Sequence, residues 1–449
     1  LMVDLVLNHV SRQSEWFRDY VEGIAPARDY FITVDPQTDL SQVVRPRSTP
    51  LLTPVQTQEG SRYLWTTFST DQIALNFANP DVLFEFLDIL LLYISMGARI
   101  IRLDAIAYLW KKIGTPCIHL PETHEIVKLL RDFLTLVAPH VLLLTETNVP
   151  HAENISYFGN GDEAHLVYQF SLPPLLLHAL QTGNSRYLTR WAASLPSLPT
   201  GCTVLNFTAS HDGIGVRPLH GLIPEEEFSR LVEGIRQRGG YISMKRDTDG
   251  SESPYELNIT YFDALSDPED PDMDRQVARF LCSQAVMLAL QGIPAIYFHS
   301  LTATPNDEAA VRRTGHARAI NRKRWDAHSL EALLQDASTI TARVFRSYLH
   351  LLRLRARHPA FHPEGVQRIL DLGDSLFALE RTAPDQSETI VALHNVTAHT
   401  VTVPIDRIPS LQKAGQGKEL ITGRTMKPVP RTLRLSPYAT AWIRVSPPH

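Results

Sequence analysis

Arg99-Ile-Ile-Arg-Leu-Asp104 and Val141-Leu-Leu-Leu-Thr-Glu146 are short apolar runs that each end in a carboxylate. Their near-continuous hydrophobicity, without the alternation of a half-exposed strand, predicts parallel strands covered on both faces. Similar runs occupy 3–7, 203–207 and 293–298, with helical patterns between them. Strand and helix in alternation argue for an α/β protein with a parallel sheet, and their spacing argues for closure into a (β/α)8 TIM barrel. One barrel unit takes about 30 residues. Asp104 to Glu146 is close to one unit and Glu146 to Asp212 close to two, so a further strand is expected at 165–170.

Two intervals are too long for bare units. They predict insertions at about 12–80, rich in Pro, Thr and Gln from 26 onward, and at about 217–265. Long loops inside compact domains are usually functional or disordered, and both intervals follow strand ends, the face where barrels carry their active sites. Beyond residue 360 the texture changes to short alternating runs at 375–381, 389–394, 400–404, 431–435 and 440–445, separated by Pro, Gly and Asn. The expected organisation is a catalytic barrel over 1–360 and a C-terminal all-β domain, a small sandwich, over 361–449.

The 449 residues are 44% hydrophobic and 20% charged, with 43 basic and 48 acidic side chains and a net charge of −5. That balance excludes an electrostatic footprint for nucleic acid. The most apolar stretch, 82–94, carries Glu85 and Asp88 and is too short for a bilayer, so it predicts a packed amphipathic helix and no membrane partner. Cys117, Cys202 and Cys282 fit neither a zinc spacing nor a disulfide framework, which points to a reducing, cytoplasmic setting. Nothing gathers ligands with a calcium-loop spacing, so neither metal nor cofactor is expected.

Polar residues collect where the strands end: Asn8-His9, Arg102-Leu-Asp104, Glu146 and Ser210-His211-Asp212. Singly, an Asp after a strand is usually a helix N-cap, and a lone His usually structural. Three carboxylates and two histidines at the strand ends of one barrel point instead to an active site. Cleaving a glycosidic bond with retention needs two carboxyl groups about 5–5.5 Å apart, one ionised and one protonated. Arg102 is two residues before Asp104, so both side chains point to one side of a strand, where a guanidinium keeps the nucleophile ionised and oriented. Glu146, at an apolar strand end, suits the acid role, and Asp212 suits sugar hydroxyls in the transition state.

Asp4-Leu-Val-Leu-Asn-His9, Arg102-Leu-Asp104-Ala, Thr145-Glu146 and Phe207-Thr-Ala-Ser-His211-Asp212 resemble, in order, the four signature regions of the α-amylase family, glycoside hydrolase family 13. The resemblance implies Asp104 as covalent nucleophile, Glu146 as acid/base and Asp212 as transition-state stabiliser, with His9, Arg102 and His211 around the glucosyl unit. Leu172-Pro-Pro-Leu-Leu-Leu-His-Ala-Leu180, His211-Asp-Gly-Ile-Gly-Val216, Leu257-Asn-Ile-Thr-Tyr-Phe-Asp-Ala-Leu265, Ala319-Ile-Asn-Arg322, Arg45-Pro-Arg47 and Gly114-Thr-Pro-Cys117 are similar to the sucrose phosphorylase branch. That branch implies transfer of a glucosyl unit to phosphate, giving α-glucose 1-phosphate. It also implies Arg322 at the glucosyl site, Phe68 and Gln72 in the pocket, and Arg47 and Tyr255-Glu256 on the acceptor side. Thr67-Phe-Ser-Thr-Asp-Gln72 and Lys245-Arg-Asp-Thr-Asp249 resemble the glucosylglycerate phosphorylases more than the sucrose phosphorylases, and Glu256 stands where a sucrose phosphorylase would carry glutamine. Lys245 and Arg246 read equally as partners of an anionic acceptor or phosphate and as a solvated loop pair.

The family's pattern places two strand–helix units ahead of the segment that begins here, so the expected barrel is N-terminally truncated. An Asp and an aromatic platform that the family draws from that region are not locatable in this sequence. Such a remainder would leave open parallel edges. The leading expectation is a glycoside phosphorylase with a small sugar and phosphate as partners, as monomer or homodimer. A retaining α-glucosidase and an inactive amylase-like barrel are the alternatives.

Overall fold

The structure is a computed structural model describing residues 1–246 and 251–446; residues 247–249 of the Lys245–Asp249 motif lie outside the described residues. The chain divides into two compact units. The first comprises Leu1–Tyr168 with Leu198–Cys202 and Met244–Tyr255.

In this unit Met2–Leu5, Ile100–Leu103, Leu142–Thr145 and Leu166–Tyr168 pair side by side, all parallel. The register sets Asp4 opposite Arg102 and Leu103 opposite Thr145. Leu5, Ile101, Leu103, Leu143 and Leu144 are fully buried, as expected of strands covered on both faces. The strand expected at 165–170 is found at Leu166–Tyr168.

Helix Pro80–Ser95 starts where Asn79 caps the Asp81 N–H and proline fills the first turn. It buries Val82, Phe86 and Leu90, one stripe at a spacing of four, so the apolar stretch at 82–94 is a packed helix. Helix Pro121–Val137 likewise buries Ile126, Val127, Leu130 and Leu134.

The interval 12–80 is more ordered than the loop its composition suggests. It holds helix Glu15–Val21, a hairpin of Leu52–Thr57 with Gly60–Trp65, and a core of Val34, Val43, Leu51, Trp65 and Ala74 that takes in Cys117 from farther along the chain. It closes on itself where Gln72–Ala74 pairs antiparallel with His9–Ser11.

The second unit holds Gln169–Ser197, Thr203–Ser243 and the chain from Glu256 onward. Thr203–Asn206 and Ile293–Pro294 pair in parallel, with Ile293 opposite Leu205. The run expected at 293–298 is a strand for two residues only, and helix Phe298–Leu301 follows. Helix Leu172–Thr182 is buried along Leu172 to Leu180 and ends on Gly183 at φ 66°, the left-handed conformation that suits glycine. The interval 217–265 also carries regular structure: helix Glu225–Gln237, strands Tyr241–Arg246 and Glu252–Asn258, and helix Tyr261–Leu265.

Past residue 360 the chain forms an antiparallel sheet in the order Val366–Leu370, Leu376–Thr382, Thr389–Asn395, Thr440–Ser446, Gln416–Glu419, Thr425–Met426. Alternate residues serve two cores. Phe377, Leu379, Ile390, Ala392 and Trp442 face one, and Ala378, Val391, Leu393 and Ile443 the other. A separate pair, Val401–Pro404 with Thr432–Leu435, packs Val403 and Leu435 into the second core.

His394 is fully buried in this sheet, its ring Nδ1–H donating to the Phe377 carbonyl at 3.0 Å. Burial pushes its pKa from 6.5 down to about 4. Between those values the unfolded chain binds a proton that the folded chain does not, so stability falls as pH falls through that window. We expect acid to remove roughly 3 kcal/mol through this group. Denaturant unfolding at pH 7 and pH 4.5 should show a smaller loss for His394→Gln than for the parent; equal losses would overturn the assignment.

Candidate functional site

Arg102 and Asp104 share one side of the strand Ile100–Leu103 and the turn beyond it, as their spacing predicts. Arg102 Nη1 lies 2.7 Å from Asp104 Oδ1 and 2.7 Å from Asp4 Oδ1, the latter brought opposite by the strand register. Its Nη2 lies 4.0 Å from Glu146 Oε2. The Tyr168 ring packs against the guanidinium, 5.8 Å from centroid to Cζ. The Arg102 side chain is only 9% exposed. Burial alone would lower its pKa, but Glu146, Asp104, Tyr168 and Asp4 outweigh that and raise it.

The backbone fixes the two carboxylates at the strand ends. Asp104 N–H donates to Leu5 O at 3.2 Å, and Glu146 N–H to Leu103 O at 3.1 Å, each extending the ladder one residue past its strand. Ala105 then takes the left-handed conformation at φ 47°, ψ 31°, which costs a residue with a side chain on the order of 1 kcal/mol. That turn aims the Ala105 N–H at Glu146 Oε2, 3.0 Å away. Asp104 and Glu146, chosen from sequence as a reacting pair, therefore share a guanidinium and meet across a single peptide unit.

His9, Phe68 and Gln72 come together beside them. His9 follows the first strand, and the return pairing with 72–74 brings Gln72 to 2.7 Å from its Nε2. Phe68 lies 5.5 Å from the His9 ring and meets Tyr108 edge-on at 5.4 Å. His9 is buried, and burial lowers its pKa to about 4; Asp104 and Asp71 pull upward and Lys111 downward. The imidazole is neutral at ordinary pH. Lys111, not anticipated from sequence, donates from Nζ to Asn8 Oδ1 at 2.6 Å and to Leu109 O at 3.3 Å. Burial lowers its pKa to about 7. Arg47 stacks on Tyr255, with Cζ 4.7 Å from the ring centroid.

The second unit gathers its own set. Asp212 Oδ1 lies 2.5 Å from Arg318 Nη1, 3.3 Å from Arg322 Nη2 and 3.7 Å from the exposed His211 Nε2. Glu256, buried, takes Arg318 in a two-pronged pair at 3.0 and 2.5 Å. Asn321 Nδ2 donates to the carbonyls of Ser210 and Asp212, and Arg322 Nε to that of His211. Gly213 allows the close approach of this segment to its neighbour. A Cβ there would meet Glu256 Cβ, Asn258 Oδ1 and Leu257 O at 3.0 Å.

Four contributors escaped the sequence reading: Arg318, Lys111, Tyr168 and the role of Asp4. Asp4 and Arg318 border the quoted motifs, so their residue types were visible; only strand register and loop folding pair them. Among the described residues no cluster of His, Cys, Asp and Glu is arranged for a metal ion. Among the described residues no helix is long and apolar enough to cross a membrane.

Residues 1–211 match the alpha-amylase family, described as "Alpha amylase, catalytic domain". The chain is 46% identical to a glucosylglycerate phosphorylase of Spirochaeta thermophila, covering 99% of this chain and 76% of that protein. It is 48% identical to a glucosylglycerate phosphorylase of Allomeiothermus silvanus, over 99% and 77%. Among solved structures, sucrose 6F-phosphate phosphorylase from Thermoanaerobacter thermosaccharolyticum superposes with a TM-score of 0.74 at 26% identity, over 88% of this chain and 79% of that one. The TIM-barrel fold and the C-terminal β-sheet are thus shared with that family.

Removing the Arg102 cation takes from Asp4, Asp104 and Glu146 the positive charge they share. We expect Arg102→Met to lose about 3 kcal/mol or more in denaturant unfolding. Adding Asp4→Asn to it should restore part of that loss, because one repelling charge is gone. Additive losses would show that Arg102 does not link these groups.

Proposed function

The chain belongs to the α-amylase family, among its glycoside phosphorylases, and we propose that it transfers a glucosyl unit from a small α-glucoside such as glucosylglycerate or sucrose to inorganic phosphate, giving α-glucose 1-phosphate. The observation that carries this reading is the Arg102 guanidinium shared by Asp104 and Glu146, with the Ala105 N–H holding Glu146 in place.

The mechanism is a retaining double displacement. Asp104 attacks the anomeric carbon; the glycosidic C–O bond breaks, and Glu146 gives its proton to the departing oxygen. A phosphate oxygen then attacks the same carbon from the face the aglycone left. The bond to Asp104 breaks and Glu146 takes up the phosphate proton. Two inversions restore the starting configuration. The Arg102 cation orients Asp104 for attack and stabilises it again as leaving group. Asp212, His211 and Arg322 keep the roles of the family pattern, binding hydroxyls of the glucosyl unit.

Glu256 supports an acceptor other than fructose. Its carboxylate forms a charged, two-pronged pair with Arg318 that a glutamine amide would not reproduce. Arg47, held flat on Tyr255, is the kind of cation that pairs with the carboxylate of glycerate or with phosphate. Three free, buried cysteines suit a reducing compartment, and we place the enzyme in the cytoplasm on that ground.

Incubation with α-glucose 1-phosphate and a panel of glycerate, fructose, glycerol and fructose 6-phosphate should release phosphate, fastest with glycerate. Equal cleavage of the α-glucoside with and without phosphate, yielding only free glucose, would establish a hydrolase instead. Asp104→Asn should lower kcat by a factor on the order of a thousand or more while the protein stays folded. Arg47→Ala should raise KM for glycerate about tenfold more than for glycerol, since only the former offers a charge to lose. Equal effects on both acceptors would remove Arg47 from the acceptor side.

A further inference from the structure

We propose that Lys111 is a positioning residue that fixes which ring nitrogen of His9 carries the proton, acting through the Asn8 side-chain amide. The inference comes from following donors and acceptors along one buried line. Below its lowered pKa of about 7 Lys111 is an ammonium, with hydrogens to give and no lone pair to receive. Its partner on Asn8, 2.6 Å away, must therefore be the amide oxygen. Asn8 is almost wholly buried, so its amide has no water to turn toward. With the oxygen committed to Lys111, Nδ2 faces His9 Nδ1 at 3.2 Å and offers it an N–H. Nδ1 must then be the unprotonated nitrogen. Burial keeps the ring neutral, so its single proton resides on Nε2.

Nε2 lies 2.7 Å from the Gln72 amide nitrogen, which in turn has Ser69 Oγ 2.9 Å from its oxygen. An N–H on Nε2 requires the Gln72 oxygen on that side. A half-turn of this amide exchanges nitrogen and oxygen without changing its shape, giving His9 Nε2–H to Gln72 Oε1 and Gln72 Nε2–H to Ser69 Oγ.

The opposite tautomer would require Asn8 to turn instead, setting its NH2 against the ammonium. The two costs are unequal. The contact with Lys111 is charge-assisted and buried, about twice as strong as a neutral hydrogen bond, whereas Gln72 is partly exposed and exchanges one neutral bond for another. The charged end of the line decides. His9 then holds Gln72 through Nε2–H and accepts from Asn8 at Nδ1, so neither ring nitrogen is left to accept from a sugar hydroxyl.

The assignment of the tautomer stands on this geometry together with the neutrality of the buried ring; its effect on turnover rests on the phosphorylase reading above. The test is 15N NMR of the histidine-labelled full chain at about pH 6, below the Lys111 pKa and above that of His9, with the His9 resonances identified by their loss in His9→Gln. The parent should show Nε2 protonated and Nδ1 bare. Lys111→Met, which keeps the length of the side chain and removes the donor, should give a mixture of tautomers. Asn8→Asp, whose carboxylate only accepts, should reverse the pattern to Nδ1–H.

If His9 keeps Nε2–H in both folded variants, the proposal is overturned. Should Lys111→Met fail to fold, Lys111→Gln, whose amide can accept as well as donate, takes its place and should likewise give a mixture. In the phosphorolysis assay, Lys111→Met should lower kcat/KM about tenfold, the worth of one misdirected hydrogen bond. Tautomers that shift as stated in a parent protein without phosphate-dependent activity would leave this inference standing and remove the functional one.

Discussion

A single guanidinium holds the reacting end of the first unit together. Arg102 sits between Asp4, Asp104 and Glu146, and the largely buried Asp104 and Glu146 could not be left near each other without a cation between them. The cation in turn is tolerable there only because the acids surround it. This mutual dependence couples three neighbouring strands, since Asp4, Arg102 and Glu146 come from or just beyond adjacent members of the parallel sheet. The register of the sheet is thereby tied to the chemistry: a slip of one residue would turn Arg102 to the other face and leave the carboxylates unneutralised.

Beside that centre the backbone is strained at Ala105. Ala105 adopts a left-handed conformation that glycine would accept more readily, and its N–H reaches Glu146 in consequence. Strain of this kind persists where surrounding contacts over-determine it. Here the ladder bonds from Asp104 to Leu5 and from Glu146 to Leu103 supply that constraint on both sides. The line from Lys111 through Asn8 to His9 is a second case of the same economy, a charge placed out of water whose function lies in orienting neutral groups.

Much of this was legible before any coordinates. The strands at 99–103 and 141–145, the strand inferred near 165–170, the helix at 82–94 and the β-rich C-terminal portion follow from hydrophobic period, and all are present. The two long intervals read less well. Pro, Thr and Gln suppress a periodic signal, yet 12–80 builds a hairpin, a helix and a small core. Their order comes from antiparallel pairing between distant segments, Ser11 with Gln72 for example, which no local window contains.

The sequence by itself determined the chemical parts: which carboxylates end which strands, that Arg102 shares a side with Asp104, and that His9, Phe68 and Gln72 belong to one neighbourhood. The first two rest on the period of a strand, a local property of the chain, and the third is what the resemblance to the sucrose phosphorylase branch implied. Only the tertiary structure decided the partners. Asp4 became the second acid on Arg102, Arg318 the link between Asp212 and Glu256, and Lys111 the cation beneath Asn8. The physical reason is that buried charges choose partners by distance and desolvation in three dimensions, and residues about 100 positions apart carry no trace of that choice in their spacing.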